Sequence, residues 1–270
     1  MEVTNLQVGA QLFSVGVGSF SYYKKSVSLS GFFALIGISS LFIWTNQIGL
    51  LCSLFYMFAS SSLLTKYKKN KKAEFDRVVG KTGPRDYVQA ICNLGTSVLV
   101  LLILLLYPND FWIAAILGSI AASNADSWAS EIGGLSKHPP VMITTFRPTE
   151  KGVSGGVTLL GTIGGIAGSL FIAVFGVLTL HWITTFPGNL LGLGIAVCIA
   201  GIIGFLFDSY LGAFSQALFQ DKYSKQLLEK RSSQTQLLKG ISWLNNDLVN
   251  LATTWVGAVA GGVVYRVFAG

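Results

Sequence analysis

The residues of this chain best suited to chemistry are carboxylates at the ends of apolar runs. Asp126 and Glu131 stand in SNADSWASEIGG, directly after FWIAAILGSIAA; Asp86 stands in GKTGPRDYVQAICN, Asp208 in FDSYLG and Asp247 in NNDLVN. A carboxylate in a membrane-crossing helix costs about 2.5–3.5 kcal/mol at the bilayer centre and less toward the ends, so such groups face cavities and have partners. Carboxylates on a divalent cation, with Lys and Arg on phosphate oxygens, are the recurrent machinery of phosphoryl transfer. The cations are at hand in TTFRPTEKGVSGG, where Arg147 and Lys151 lead into Gly152, Gly155 and Gly156. A glycine-rich segment opening a helix offers backbone N–H groups and a positive dipole end to an anion.

Positions three, four and seven apart share a helix face. Asp86, Gln89, Asn93 and Ser97 form one polar stripe, Ser123, Asp126 and Ser130 a second, and Asn246, Asn250 and Thr253 a third. The Ser, Thr and Asn members read as interhelical hydrogen-bonding groups; the aspartates do not, because an amide would serve that purpose at lower cost. Glu131 lies five residues beyond Asp126, about 140° round a regular helix, so the two share a site only if the helix ends nearby. Gly133 and Gly134 supply such an ending.

The elements that must position these residues are transmembrane helices. Of the 270 residues 51% are hydrophobic and only 11% charged, with mean hydropathy +0.60, against about 25% charged in soluble domains. The expected fold is all-α, one integral domain over residues 1–270, a polytopic helical bundle of about eight spans (seven to nine). The apolar runs are about 6–23, 30–45, 48–65, 88–107, 110–125, 157–180, 190–212 and 247–267. A seven-span alternative merges or drops one of the first three, since Thr45, Asn46 and Gln47 are the only polar break between the second and third. Every Lys and Arg except Arg266 falls in alternate connections: Lys24 and Lys25, then loops 66–86, 137–151 and 222–239. The positive-inside rule puts those loops on the cytoplasmic-type face, and all five polar stretches abut them.

The net charge of +7 is spread over juxtamembrane loops without a recognition motif, which excludes a nucleic-acid reading and favours lipid headgroups or phosphorylated substrates. KYKKNKK at 66–72 reads as a topology anchor on the lipid surface. Cys52, Cys92 and Cys198 stand singly in apolar runs without metal or disulfide spacing. GKT at 80–82 is no P-loop, because Phe75 occupies the position of its first glycine. His138 and His181 read as ordinary loop residues. Gly161, Gly164, Gly165 and Gly168, with Gly257 and Gly261, are close-packing signals. MEVTNLQ shows neither a basic signal-peptide start nor a transit pattern, so the endoplasmic reticulum or another endomembrane is the expected location.

The succession KKSVSLSG, GKTGPRD, NADSWASEIGGLSK, ITTFRPTEKGVSGGVTLLGT, FDSYLGA and NNDLVN resembles the transmembrane protein 19 and phytyl-phosphate kinase family of multi-pass membrane proteins, over about residues 24–265. Ser127 stands where that family commonly has Thr, and PTEKGVSGGV departs from its usual PxGTxGxV. The resemblance implies a lipid kinase of isoprenoid metabolism: phosphoryl transfer from a nucleoside triphosphate, CTP or ATP, with Mg2+, to an isoprenyl monophosphate in the bilayer. Asp126, Asp208, Asp247 and Asp86 are then the expected metal ligands, and Asp126, Glu131 and Lys151 the catalytic set. Lys81, Arg85, Ser130, Arg147, Gly152, Gly155, Gly156, Asn246 and Asn250 are the expected phosphate-binding groups. An ion-coupled transporter using the same acids, or a non-catalytic membrane protein, is the alternative. The oligomeric state is left open.

Overall fold

In a computed structural model, residues 4–72, 77–79, 83–184 and 186–269 are described. Eight helices of 16 residues or more lie on the eight apolar runs: α1 Asn5–Tyr23, α2 Leu29–Trp44, α3 Ile48–Lys66, α4 Tyr87–Leu106, α5 Asp110–Gly133, α6 Leu159–Thr184, α7 Leu190–Phe214 and α8 Asn246–Ala269. Five of them begin on a side-chain cap. Thr4 and Gln7 form a capping box at α1; Ser28, Asp86, Asn109 and Asn189 accept from the first-turn amides of α2, α4, α5 and α7. Between α2 and α3, Asn46 adopts a positive φ of 61°, so the short polar break does separate two helices.

Among the described residues five helices are long and apolar enough to cross a membrane: α3, α4, α6, α7 and α8. Two of the three exceptions, α2 and α5, have physical reasons. α2, at 16 residues, is apolar but short. α5 is less apolar because it faces protein rather than lipid. Twelve successive residues, Ala114 to Ala125, are buried all round, and α5 packs against α3, α4, α6, α7 and α8. Its neighbours approach closely through glycine: a Cβ on Gly118 would come within 2.4 Å of the Gly257 carbonyl, one on Gly261 within 2.5 Å of that of Ala114, and one on Gly204 within 2.3 Å of Ala122. α1 packs chiefly on α2, at the periphery.

One hydrogen bond joins two of the polar stripes, and polar residues outside the stripes add others. Ser123 donates to Asn93 at 2.9 Å, Asn124 donates to the Gly168 carbonyl at 2.8 Å, and Thr96 pairs with Thr254 at 2.8 Å.

The helical fold carries short strands in two of its connections. The α5–α6 connection contains a two-stranded antiparallel ladder, β1 Val141–Met142 with β2 Gly156–Val157. The α7–α8 connection, read from sequence as a basic loop, is a three-stranded antiparallel sheet in the order β4-β3-β5: β3 Leu218–Asp221, β4 Leu227–Leu228 and β5 Thr235–Lys239. Val78, Val153 and Leu218 form a small apolar core that joins three connections into a cap on the bundle end.

Candidate functional site

All four basic connections meet around one cavity of about 300 Å³ at this capped end. Its wall is assembled from the N-terminal ends of α2, α4, α6 and α8, Met57 and Phe58 of α3, the C-terminal end of α5, and the last turns of α7. Alternate connections of the helix order thus gather at the same end.

Asp126 on α5 and Asp208 on α7 project into the cavity with their carboxyl groups in hydrogen-bond contact. Thr253 Oγ1 on α8 donates to Asp208 Oδ2 at 2.8 Å. Three helices thus converge on one carboxyl pair. Asn246, Asp247 and Asn250 from the first turns of α8 line the same wall. Among the described residues no group of three or more His, Cys, Asp or Glu side chains converges as a ready-made metal cage. Asp86 lines the cavity, but its Oδ1 accepts the Gln89 amide at 3.0 Å as the cap of α4.

Helix α5 ends at Gly133, with Gly134 as its C-cap, and both Asp126 and Glu131 reach the cavity wall. They hold different partners. Glu131 is ion-paired with Lys72 and accepts a hydrogen bond from Thr65. Lys72 is 2% exposed and also donates to the Leu64 and Thr65 carbonyls at the C-terminal end of α3, at 2.8 and 3.1 Å. This corrects the surface-anchor reading of KYKKNKK at one position: Lys72 is buried and ties the basic run to α5.

Arg85 sits between Ser26 and Ser28, its amide donating to the Ser26 carbonyl at 3.0 Å and its carbonyl accepting from Ser28 at 2.9 Å. Gly31 makes this possible, since a Cβ there would lie 2.2 Å from the Arg85 oxygen. Burial lowers the Arg85 pKa, and the Glu131 charge opposes that shift. Arg85 also lines the cavity.

The glycine loop behaves differently from a simple phosphate cradle. Lys151, Gly152, Gly155 and Gly156 line the cavity, yet the Gly156 amide is spent on the Val153 carbonyl at 3.0 Å, and Thr158 caps α6 through the Gly161 amide at 3.0 Å. Gly155, at φ +85°, lets the loop dock on α7: a Cβ would lie 2.4 Å from that of Ala213. The β3–β5 sheet secures the loop from outside. Ser154 Oγ is hydrogen-bonded to Glu229, and Lys239 Nζ reaches the Ser154 and Gly212 carbonyls at 3.4 Å. Burial lowers the Lys239 pKa, with Glu229 acting against it.

Of the expected site residues, Arg147 falls elsewhere. It is exposed in the turn after β1, where its carbonyl accepts the Met142 amide at 2.9 Å, and it does not line the cavity. Lys81 lies outside the described residues. Ser130 is on the wall. Sequence reasoning missed Gln216 and Glu229, which line the cavity from the α7–α8 connection. No helical or alternating pattern marks either one, and only the fold of that connection brings them in. Gln216 is 2% exposed, and its Nε2 has no hydrogen-bond partner among the described residues.

Comparison with known proteins agrees with this architecture. Protein PGR of Arabidopsis thaliana is 30% identical over 276 residues, covering 91% of this chain and 92% of its own. The uncharacterized membrane protein MJ0933 of Methanocaldococcus jannaschii is 34% identical over 165 residues, 60% of this chain and 56% of its own. Protein VTE6, chloroplastic, of Arabidopsis thaliana is 30% identical over 142 residues, 52% of this chain and 34% of its own. The location printed in that last name lends no support to the endoplasmic reticulum expectation. No solved structure matches. Residues 12–258 match the family described as Integral membrane protein DUF92, and this chain is a member of that integral membrane family, which bears out the kinship read from the motifs.

Proposed function

We propose that this protein is a membrane-embedded phosphotransferase that adds a phosphoryl group from a nucleoside triphosphate to an isoprenyl monophosphate. The observation that carries the reading is the Asp126–Asp208 carboxyl pair, built by three helices on a cavity wall that Arg85 and Lys151 share. Paired acids in an apolar bundle are poor glue and good cation ligands. The resemblance of the central motifs to the phytyl-phosphate kinase family supports the acceptor class.

Mg2+ suits this donor set, because it is commonly held by one or two carboxylates with the remaining positions filled by water and substrate phosphates rather than by a full protein cage. Asp126 and Asp208 would hold it, and it would neutralise charge on the transferring phosphoryl group. An oxygen of the acceptor monophosphate forms the new bond to the terminal phosphorus of the donor, and the bond to the nucleoside diphosphate oxygen breaks. The attacking oxygen is already anionic, so the protein supplies position rather than a base. Arg85 and Lys151 would pair with phosphate oxygens, Asn246 and Asn250 would orient them, and the apolar bundle would keep the acceptor's chain beside the site. The bilayer is thus the substrate's solvent.

The test is phosphoryl transfer by the purified protein in lipid nanodiscs, with labelled CTP or ATP, Mg2+ and a panel of prenyl monophosphates, using Asp126→Asn as control. A diphosphate product that vanishes in the variant is the expected result. Folded protein that yields no product with any acceptor overturns the reading and returns the carboxyl pair to a transport or scaffold role.

A further inference from the structure

The cavity is amphipathic in a way the phosphate chemistry does not use. Beside its polar groups, Leu35, Met57, Phe58, Ala90 and Leu94 also line it. Two of these lie well inside the bundle. Leu94 follows the cap residue Asp86 by eight positions and Met57 precedes the end of α3 by nine, so both stand about 12–14 Å inward at 1.5 Å of rise per residue. α3 and α4 each pack against α5 and against α2, but they share no extensive contact with each other. A slot therefore runs between α3 and α4, backed by α5 and covered on its outer side by α2. The α1–α2 pair that covers it is the peripheral part of the bundle.

We infer that this slot seats the proximal hydrocarbon chain of the acceptor lipid, which enters sideways from the bilayer beneath α2 and so brings its phosphate to the Asp126–Asp208 end. The inference rests on the phosphotransfer reading for the identity of the headgroup, but the chain's seat is argued from the cavity alone. An apolar wall in a membrane protein need not be kept from water by a ligand; it is filled by lipid whenever it opens to the bilayer. Here it is continuous with a polar chamber, and only a molecule with an anionic head and an apolar chain satisfies both ends at once.

The size limits what is recognised. A volume of about 300 Å³ is at the small end of ligand sites, which run roughly 300–1,000 Å³. It accommodates a phosphate head and the first part of a chain, leaving the remainder in lipid. Selectivity should then fall on the carbons nearest the phosphate, and lengthening the chain beyond them should matter little.

The experiment uses the full chain in nanodiscs, a prenyl monophosphate carrying a photoreactive diazirine near its phosphate end, and mass-spectrometric mapping of the labelled peptides. The same preparation is assayed for transfer, with Leu35→Trp to fill the slot and Phe58→Ala to widen it. Expected are labels in α2, α3 and α4 that excess unlabelled lipid phosphate displaces and inorganic phosphate does not. Leu35→Trp should lower kcat/KM for ten-carbon and longer acceptors by about tenfold, and change a five-carbon acceptor less than about twofold. Phe58→Ala should move the preference the opposite way, which keeps the test decisive if the tryptophan variant fails to fold. Displaceable labelling without turnover would uphold the slot and overturn the transfer reading. Turnover with labels only on lipid-facing surfaces, or with chain preference unchanged in both variants, would overturn the slot and leave the transfer reading standing.

Discussion

Asp126 of α5 and Asp208 of α7 hold their carboxyl groups in contact inside a helical bundle, with Thr253 of α8 donating to the second of them at 2.8 Å. Such a pair is expensive as a fastener, and an Asn at either position would preserve a hydrogen bond at lower cost. Asp126→Asn and Asp208→Asn should therefore leave thermal stability equal or raised while lowering transfer by about a hundredfold or more. Titrating Mg2+ should raise the unfolding temperature of the parent protein and have little effect on either variant. Variants that unfold early and respond to Mg2+ normally would make the pair structural.

Glu131 separates from that pair by its partner. Its charge balances Lys72, which is 2% exposed and already donates to two backbone carbonyls of α3. Removing one member strands a buried ion, which costs about 3–5 kcal/mol, and the partly exposed Glu131 places this case near the lower figure. Glu131→Gln should lower stability accordingly in a denaturation series, and Glu131→Gln with Lys72→Met should recover most of the loss. A single variant as stable as the parent would mean the pair contributes nothing.

The helices were legible because apolar runs of bilayer length are written plainly in the chain. The carboxylates were legible because a charge beside such a run has few reasons to exist. The cap was not. Strands of two to five residues in a charged connection give no period to read, so Gln216 and Glu229 were hidden, and Lys72 could not be told from the other lysines of KYKKNKK until α3 and α5 were seen to enclose it. Arg147 and Lys151 looked equivalent by type and spacing, yet the β1 turn sends one outward while the glycine loop lines the cavity with the other.

That last contrast is testable. Arg147→Ala should change transfer less than about twofold, as expected of an exposed charge, while Arg85→Ala and Lys151→Ala should each lower kcat/KM by about tenfold or more through lost phosphate contacts. Steady-state kinetics on the three variants decides it. Equal losses at Arg147 and Lys151 would place the donor's phosphates outside the cavity.

Gly155 holds the loop on α7 through a conformation that side-chain-bearing residues rarely adopt and a contact too close for a Cβ without a shift, φ +85° with Ala213 2.4 Å from an added Cβ. Gly155→Ala should cost about 1–3 kcal/mol and expose the loop to limited proteolysis. Adding Ala213→Gly removes the clash but leaves the backbone strain, so it should restore stability only in part. Full restoration would show that the positive φ carries no cost.

Gln216 gives the sharpest distinction between folding and binding. Its side chain is almost wholly enclosed, lies beside Gly212, lines the cavity with Ser154, and presents an Nε2 with no partner among the described residues. A buried amide donor left unpaired costs about 1–3 kcal/mol, which a ligand oxygen can repay. Gln216→Met keeps the length of the side chain and removes that donor, so the ligand-free protein should unfold at the same temperature or higher. The stabilisation conferred by CTP or ATP with Mg2+ should shrink in the same thermal series, corresponding to affinity weakened by about tenfold. If the variant instead unfolds earlier and binds nucleotide as tightly as the parent, the amide belongs to the packing of the cap and the donor nucleotide lies elsewhere along the wall.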